Sequence, residues 1–477
     1  MDQDVVAQIG SIVGEKNFST RIADLYTYGF DSSIHHVTPE IVVQPRTTEQ
    51  VAKLVKLANA LKVPIVPRGA GTGLCGGAVP LQGGMVIDLT RMNKVKEVRV
   101  EDLYCVCEAG VVYDNLQKAL APFKFTFPPT PGSAEACTIG GMVATNASGM
   151  RAVKYGGTRD YVLGLEVVLP TGEIIRVGTR TLKNASGYQL ERLFTGSEGT
   201  LGIITEITLR IVPKPKKMAM IVAGFDTLEK AGKCVSALIA KPLLPSAVEL
   251  MDSTCIRAVN KAINAGLPDV AALCMIEVDG DPKVVADELV EVVKVAESIG
   301  AIGLQQSDDA AQMAKWTNAR KSVMSALSRY GERTVSVSLA DDMAVPISKI
   351  PEAVMEFGKI ADKYGVIVGT YGHAADGNLH TKMLLDPESP DSWRSGENAV
   401  REIFDTCIRL GGTVTGEHGV GISKAPYFQK ERATALGAMM AIKKALDPNN
   451  IMNPGKVQEW EGCIIQHLRY PCPDQKE

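Results

Sequence analysis

The chain has 477 residues, too long for one hydrophobic core, so two or three domains are expected. Its 45% hydrophobic and 22% charged residues argue for a folded globular protein, and a net charge of −3 gives no reason to expect a nucleic-acid partner. No apolar run approaches the ~20 residues of a spanning helix, and the acidic start Met1-Asp2-Gln3-Asp4 lacks the basic and apolar regions of a secretory leader. The ten cysteines form no C-x-x-C pair, which argues against a zinc ribbon or ferredoxin spacing and fits small buried residues of a reducing cytoplasm. Cys463 and Cys472 are left open as a pair or as metal ligands.

Ile41-Val42-Val43 reads as a strand ended by Pro45. Thr47 with Gln50 resembles a capping box, and Val51, Leu54, Val55, Ala58 and Leu61 form one apolar helical face. A short buried strand, Val63 to Val66, leads into Pro67-Arg68-Gly69-Ala70-Gly71-Thr72-Gly73-Leu74-Cys75-Gly76-Gly77. Five glycines in eleven residues leave backbone N–H groups without Cβ cover, free to converge on a phosphate or pyrophosphate. Arg68 and Thr72 add a positive charge and a hydroxyl there. The G-x-G-x-x-G from Gly71 to Gly76 is not a Rossmann fingerprint, because it does not open a helix. Instead the chain runs through Ala78 to Gly84, rich in helix breakers, into the strand-like Met85 to Leu89.

Tyr104 to Val106 reads as a strand and Asp114 to Leu120 as a helix, an α+β order rather than a regular βαβ array. A second glycine-rich region spans Pro131-Gly132-Ser133, Thr138-Ile139-Gly140-Gly141-Met142 and Asn146-Ala147-Ser148-Gly149. A third, Gly196-Ser197-Glu198-Gly199-Thr200-Leu201-Gly202, precedes Ile203 to Ile207. Three such loops between strand-like runs suggest a large flat ligand lying along closely approaching backbone.

These residues, with Asn453-Pro454-Gly455-Lys456, resemble flavoproteins of the vanillyl-alcohol oxidase type. The similar branch holds D-lactate dehydrogenase, the glycolate oxidase flavin subunit and D-2-hydroxyglutarate dehydrogenase. The resemblance implies a two-lobed FAD-binding domain over residues 1–213 and an α+β substrate (cap) domain over 214–424. A C-terminal segment, 425–477, would return to the flavin domain. It implies that Pro67 to Gly76 hold the FAD pyrophosphate. Pro131, Gly132, Ser133, Thr138, Gly140, Gly141, Asn146, Ser148, Gly149, Glu198, Gly199, Gly202, Ile203 and Asn453 would complete the cofactor site. No histidine lies between Pro67 and Gly77, so non-covalent FAD is expected.

The texture changes at Lys214-Pro215-Lys216-Lys217, a hinge before amphipathic stretches such as Pro282 to Ile299. Three of the six histidines stand near the end of the cap. His373 and His380 flank an Asp-Gly turn, so extended flanking segments would let their imidazoles converge, with Glu417 as a third ligand. Two histidines and a carboxylate suit one divalent ion, Zn, Mn or Fe, with room for substrate. The resembled branch carries His-x-Gly-Asp-Gly-Asn-Leu-His and Gly-Glu-His-Gly motifs; Ala375 replaces the usual glycine of the first. His418 is the expected base, Arg320 matches the branch's Trp-x-x-x-Arg position as a carboxylate clamp, and Asn378 is placed to orient a ligand.

The expected activity is oxidation of a D-2-hydroxy acid, D-lactate favoured over glycolate or D-2-hydroxyglutarate, by hydride transfer to flavin N5. Alternatives are a flavin electron-transfer subunit without its own substrate and a metal-dependent hydrolase. Electrons would pass to an electron-transfer flavoprotein, a cytochrome, a quinone or a separate cluster protein. The expected location is cytoplasmic, with peripheral membrane association, a homodimer and a hetero-complex left open. The tail from Trp460 to Glu477 reads either as a docking segment or as a frayed end.

Overall fold

The computed structural model describes residues 1–331 and 333–457. The tail with Cys463, His467 and Cys472 lies outside the described residues. Two compact units emerge. The first comprises Met1–Ser148, Gly157–Lys214 and the described residues from Glu417 on; the second comprises Gly149–Gly156 and Pro215–Gly416.

The first unit holds two principal sheets. Phe18–Ser19, Ile41–Val43, Met85–Asp88 and Ile65–Arg68 form the first, in that order. Its last three strands are parallel, so the glycine loop joins two neighbouring parallel strands directly. The second sheet is antiparallel, ordered Val95–Arg99, Tyr104–Glu108, Ile203–Arg210, Val162–Val168, Ile174–Gly178. One apolar core joins them through Ile41, Val43, Ile65 and Ile87 on one side and Cys105, Leu165, Ile203 and Ile207 on the other.

Several local readings hold, and two differ in detail. Thr47 caps the Thr48–Leu61 helix by accepting from Gln50 N at 3.3 Å. The return bond of a full capping box is replaced: Gln50 Oε1 accepts from Arg46 N instead, at 2.7 Å. Thr138 to Met142 is not an open loop between strands but the start of a helix, Ile139–Thr145. Glycine normally weakens a helix. Here Gly140 is required, because a Cβ would stand 2.6 Å from Ala109 Cβ and 2.8 Å from its carbonyl oxygen.

The second unit is built on an antiparallel sheet. Its order is Ile302–Ser307, Lys217–Phe225, Ala272–Gly280, Ala247–Asp252, Ile367–His373, Asn378–Leu385, Val335–Val337, with Met343–Ala344 also paired to Asn378–Leu385. Residues 219–223 are buried on both alternations, so helices cover both faces. Pro282–Ile299 packs on the strands Lys217–Phe225 and Ala272–Gly280, while Ser253–Ile263 packs on Ile367–His373. A core of Met251, Ile256, Leu273, Trp316, Leu327 and Tyr371 fills one side.

The division of the chain differs from the expected boundaries at two points. Residues 149–156 join the second unit because Arg151 grips Glu277 through two nitrogens, at 2.8 and 3.1 Å, and Lys154 meets Asp279 at 2.6 Å. Residues 417–424, expected in the cap, join the first unit. Val420 N and Gly421 N donate to the Glu198 carboxylate, and Ile422 N donates to Cys75 O.

Candidate functional site

In the first unit, Gly71 and Gly76 take φ of +70° and +79°, angles at which a side chain is strained. Gly69 is fixed by packing: a Cβ there would meet Thr138 Oγ1 at 2.2 Å. Gly73, Gly77 and Gly132 are different, because an added Cβ would meet nothing closer than 3.5 Å. Gly132 faces open space, and at Gly73 and Gly77 the nearest atoms, carboxylate oxygens of Asp31 and Glu198, stand at ordinary contact distance, so backbone there stays open to a flat, closely held ligand. A cleft of about 340 Å³ lies beside Ala70, Thr138, Gly110, Val112 and Asn115. It shares Ala70, Thr90 and Asn93 with a second cleft of about 460 Å³ that also reaches Arg68 and Gly69. These residues fit a dinucleotide such as FAD.

Thr90, Asn93, Gly110, Val112 and Asn115 carry no advance signal, since none lies in a glycine-rich run. The Arg68 guanidinium sits beneath the loop, donating from Nη1 to Phe30 O at 2.8 Å and lying 5.4 Å from the centre of the Tyr28 ring. Tyr28 donates to Asp88 at 2.8 Å; burial first, and then that carboxylate, push its hydroxyl up to about 12.

Other expected cofactor residues turn out to brace the loops. Gly199 is held against Pro67, where a Cβ would come within 2.4 Å, and Gly202 against Val167 at 2.8 Å. Ile203 is fully buried in its strand. Ala134 N donates to Pro131 O and Cys137 N to Ser133 O, closing a turn. Gly141 N donates to Thr138 Oγ1, and Arg159 N to Asn146 Oδ1. The Glu198 carboxylate takes Val420 N at 2.7 Å and Gly421 N at 2.8 Å, and burial raises its pKa above the usual carboxylate range. Asn453 Nδ2 donates to Gly77 O and Glu198 O, tying the first and third loops together. Lys456 is fully buried with Nζ on Val79 O, and that burial lowers it to about 8. Ser148 Oγ donates to Glu417 Oε2 at 3.2 Å, and His418 Nε2 lies 3.8 Å from Glu417 Oε1. Gly149, at φ +106°, is the first residue of the second unit.

In the second unit, the hairpin Ile367–His373 and Asn378–Leu385 pairs Tyr371 with His380. It brings the rings of His373 and His380 to 5.2 Å between centroids at 88°. His373 Nδ1 lies 2.6 Å from Glu249 Oε1, and His380 Nδ1 lies 3.1 Å from Asp341 Oδ1. An ionised carboxylate only accepts, so Nδ1 is the donor in each contact, and in a neutral ring Nε2 then carries the lone pair. Two such imidazoles are the donors a divalent ion takes, with carboxylates behind them. The donor set fits a metal.

Glu249 also forms an ion pair with Arg320 Nε at 2.5 Å. Burial pushes Glu249 up, but Arg320 and His373 outweigh it and hold the carboxyl below its usual range. The guanidinium carbon of Arg320 lies 4.5 Å from the Tyr371 ring centre, and among the described residues its Nη atoms have no partner. Asn378 Nδ2 donates to Asp342 Oδ1 at 3.0 Å, and its buried Oδ1 has no partner among the described residues. Glu249, Asp341 and Asp342 carry no sequence motif and were not anticipated.

Residues 39–178 match the FAD binding domain family, and residues 214–457 match the C-terminal domain of FAD linked oxidases. The glycolate oxidase subunit GlcD of Bacillus subtilis is 38% identical over 95% of this chain and 97% of that protein. The mitochondrial D-lactate dehydrogenase (cytochrome) of Arabidopsis thaliana is 36% identical, covering 95% of this chain and 80% of that one. For the D-lactate dehydrogenase of Archaeoglobus fulgidus the identity is 36%, over 90% and 95%. Among solved structures, the 4-ethylphenol oxidase of Gulosibacter chungangensis superposes with a TM-score of 0.78 at 19% identity, over 96% of this chain and 97% of that one. p-Cresol methylhydroxylase gives 0.78 at 19%, over 95% and 96%, so the fold is that of the vanillyl-alcohol oxidase type. No helix of the described residues is long and apolar enough to cross a membrane. By both domain matches and by relatives along nearly its whole length, the chain belongs to the FAD-linked oxidase family and is an FAD-dependent oxidoreductase.

Proposed function

We propose that this oxidoreductase converts a D-2-hydroxy acid, D-lactate favoured, to the 2-oxo acid. Glycolate and D-2-hydroxyglutarate are the competing substrates. FAD, when bound, supplies the acceptor for the hydride leaving the substrate Cα. His373, His380 and Glu417 hold one divalent cation, Zn, Mn or Fe, whose chemistry is to acidify the substrate hydroxyl. His418 takes the hydroxyl proton, a task that suits an imidazole at neutral pH. Arg320 receives the substrate carboxylate in its open fork, and Asn378 orients the bound acid through its unused carbonyl oxygen. Electrons then leave for a protein acceptor such as an electron-transfer flavoprotein or a cytochrome, or for a quinone.

The observation that carries this reading is the pair of imidazoles on one hairpin, each with Nδ1 on a buried carboxylate, beside a buried arginine with an open fork. The named activities of the relatives, glycolate oxidase and D-lactate dehydrogenase, support the substrate class. The test is anaerobic mixing of the yellow protein with D-lactate, L-lactate, glycolate and D-2-hydroxyglutarate. Bleaching fastest with D-lactate is expected. His418→Ala should retain FAD and lose bleaching; bleaching at the normal rate removes His418 as the base.

A further inference from the structure

Opposite His380 the sheet is irregular. Val337 pairs with Met383 and Met343 pairs with Leu379, which leaves residues 338–342 facing residues 380–382, five against three. Such a bulge re-aims side chains beside a site. It ends at Asp342, whose φ of +70° is the left-handed conformation that asparagine, aspartate and glycine tolerate best. Two consecutive, fully buried aspartates result. Asp341 takes His380 Nδ1 at 3.1 Å and Lys382 Nζ at 2.5 Å. Asp342 takes Asn378 Nδ2 at 3.0 Å and Thr415 Oγ1 at 2.8 Å, while its own carbonyl accepts Gly416 N at 2.7 Å. Gly416 has no space for a side chain, since a Cβ would meet Asn378 Nδ2 at 2.2 Å. The next residue in the chain is Glu417.

We infer that Asp341 and Asp342 are positioning residues of the proposed oxidation site, an inference that rests on that reading. Asp341 fixes the ring orientation and tautomer of His380, with Lys382 compensating its charge. Asp342 turns the Asn378 amide so that its carbonyl oxygen stays available to substrate, and it anchors the Thr415–Gly416 stem. A carboxylate is required at both places, because each must accept two hydrogen bonds at once.

Three variants of the full chain test this. Asp341→Asn, with an amide set against Lys382, should bind Zn²⁺ or Mn²⁺ added to metal-stripped protein about 10–100-fold more weakly, with FAD absorbance unchanged. Asp342→Gly tolerates the left-handed turn and removes the side chain with its carboxylate; it should lower kcat about 10–100-fold at normal FAD content. Asp342→Asn, which retains one acceptor, should fall between Asp342→Gly and the wild type. Wild-type metal affinity in Asp341→Asn together with wild-type kcat in Asp342→Gly would overturn the inference. If the wild type itself is bleached by no 2-hydroxy acid, the proposed function fails, and the metal titration alone then judges the aspartate pair.

Discussion

Glu249 Oε1 stands 2.6 Å from His373 Nδ1, while its other oxygen pairs with Arg320 Nε at 2.5 Å. One buried carboxylate therefore sets both an imidazole and a guanidinium. Removing a single partner of a buried ion pair costs about 3–5 kcal/mol, because the other charge stays unpaired. Glu249→Ala should lose stability of that order in urea denaturation followed by tryptophan fluorescence. Glu249→Gln should lose less, and wild-type stability in the alanine variant would refute the pairing.

Arg320→Lys replaces a fork with a point charge. Loss of one charge-assisted hydrogen bond, about 1.5–3 kcal/mol, predicts a fall of roughly 10–150-fold in kcat/KM. The fall should appear for hydroxy acids and shrink for the corresponding amides, which carry no carboxylate. Steady-state kinetics with an artificial dye acceptor measures both.

Gly69→Ala forces a methyl group against Thr138 Oγ1. Overpacking of about 1–3 kcal/mol should weaken FAD binding by roughly 5–150-fold, giving a paler protein at dilution. Gly132→Ala meets nothing within 4 Å of protein, so any loss of FAD there reports on the ligand rather than on packing. Flavin-to-protein absorbance ratios read both variants.

Lys456 contributes a pH dependence of definite sign. Burial lowers its folded pKa to about 8, below the unfolded value of about 10.4. The unfolded chain therefore binds more protons between those values, and stability rises with pH across that window. Charging the buried amine costs the folded state up to roughly 3 kcal/mol below pH 8, a penalty relieved as pH climbs towards 10.4. The stability of the wild type relative to Lys456→Met should therefore increase between pH 8 and 10. A flat difference would show that this amine does not titrate there.

Much of the fold was legible because the signals were local. The strands at Ile41 and Met85 announce themselves by short apolar runs bounded by proline and glycine. The His373–His380 approach was legible because a hairpin turn separates them. Glu249 lies 124 residues from His373, and only the pairing of Ala247–Asp252 with Ile367–His373 places it there. Asp341 and Asp342 depend on a bulge, which leaves no composition signal. Gly140-Gly141 read as part of a glycine-rich loop, whereas the stretch is helical and the close approach of Ala109, far in sequence, is what requires glycine at 140.

Among the described residues the chain passes between its units at four places, after Ser148, Gly156, Lys214 and Gly416. A ribosome making this protein must therefore translate past residue 416 before the nucleotide-binding half can acquire its last layer. Gene fragments cut after Lys214 or after Gly416 yield pieces missing their own partners. Recombining this oxidase with a homologue demands swapping discontinuous blocks together, and any crossover confined to a single joint leaves both halves incomplete.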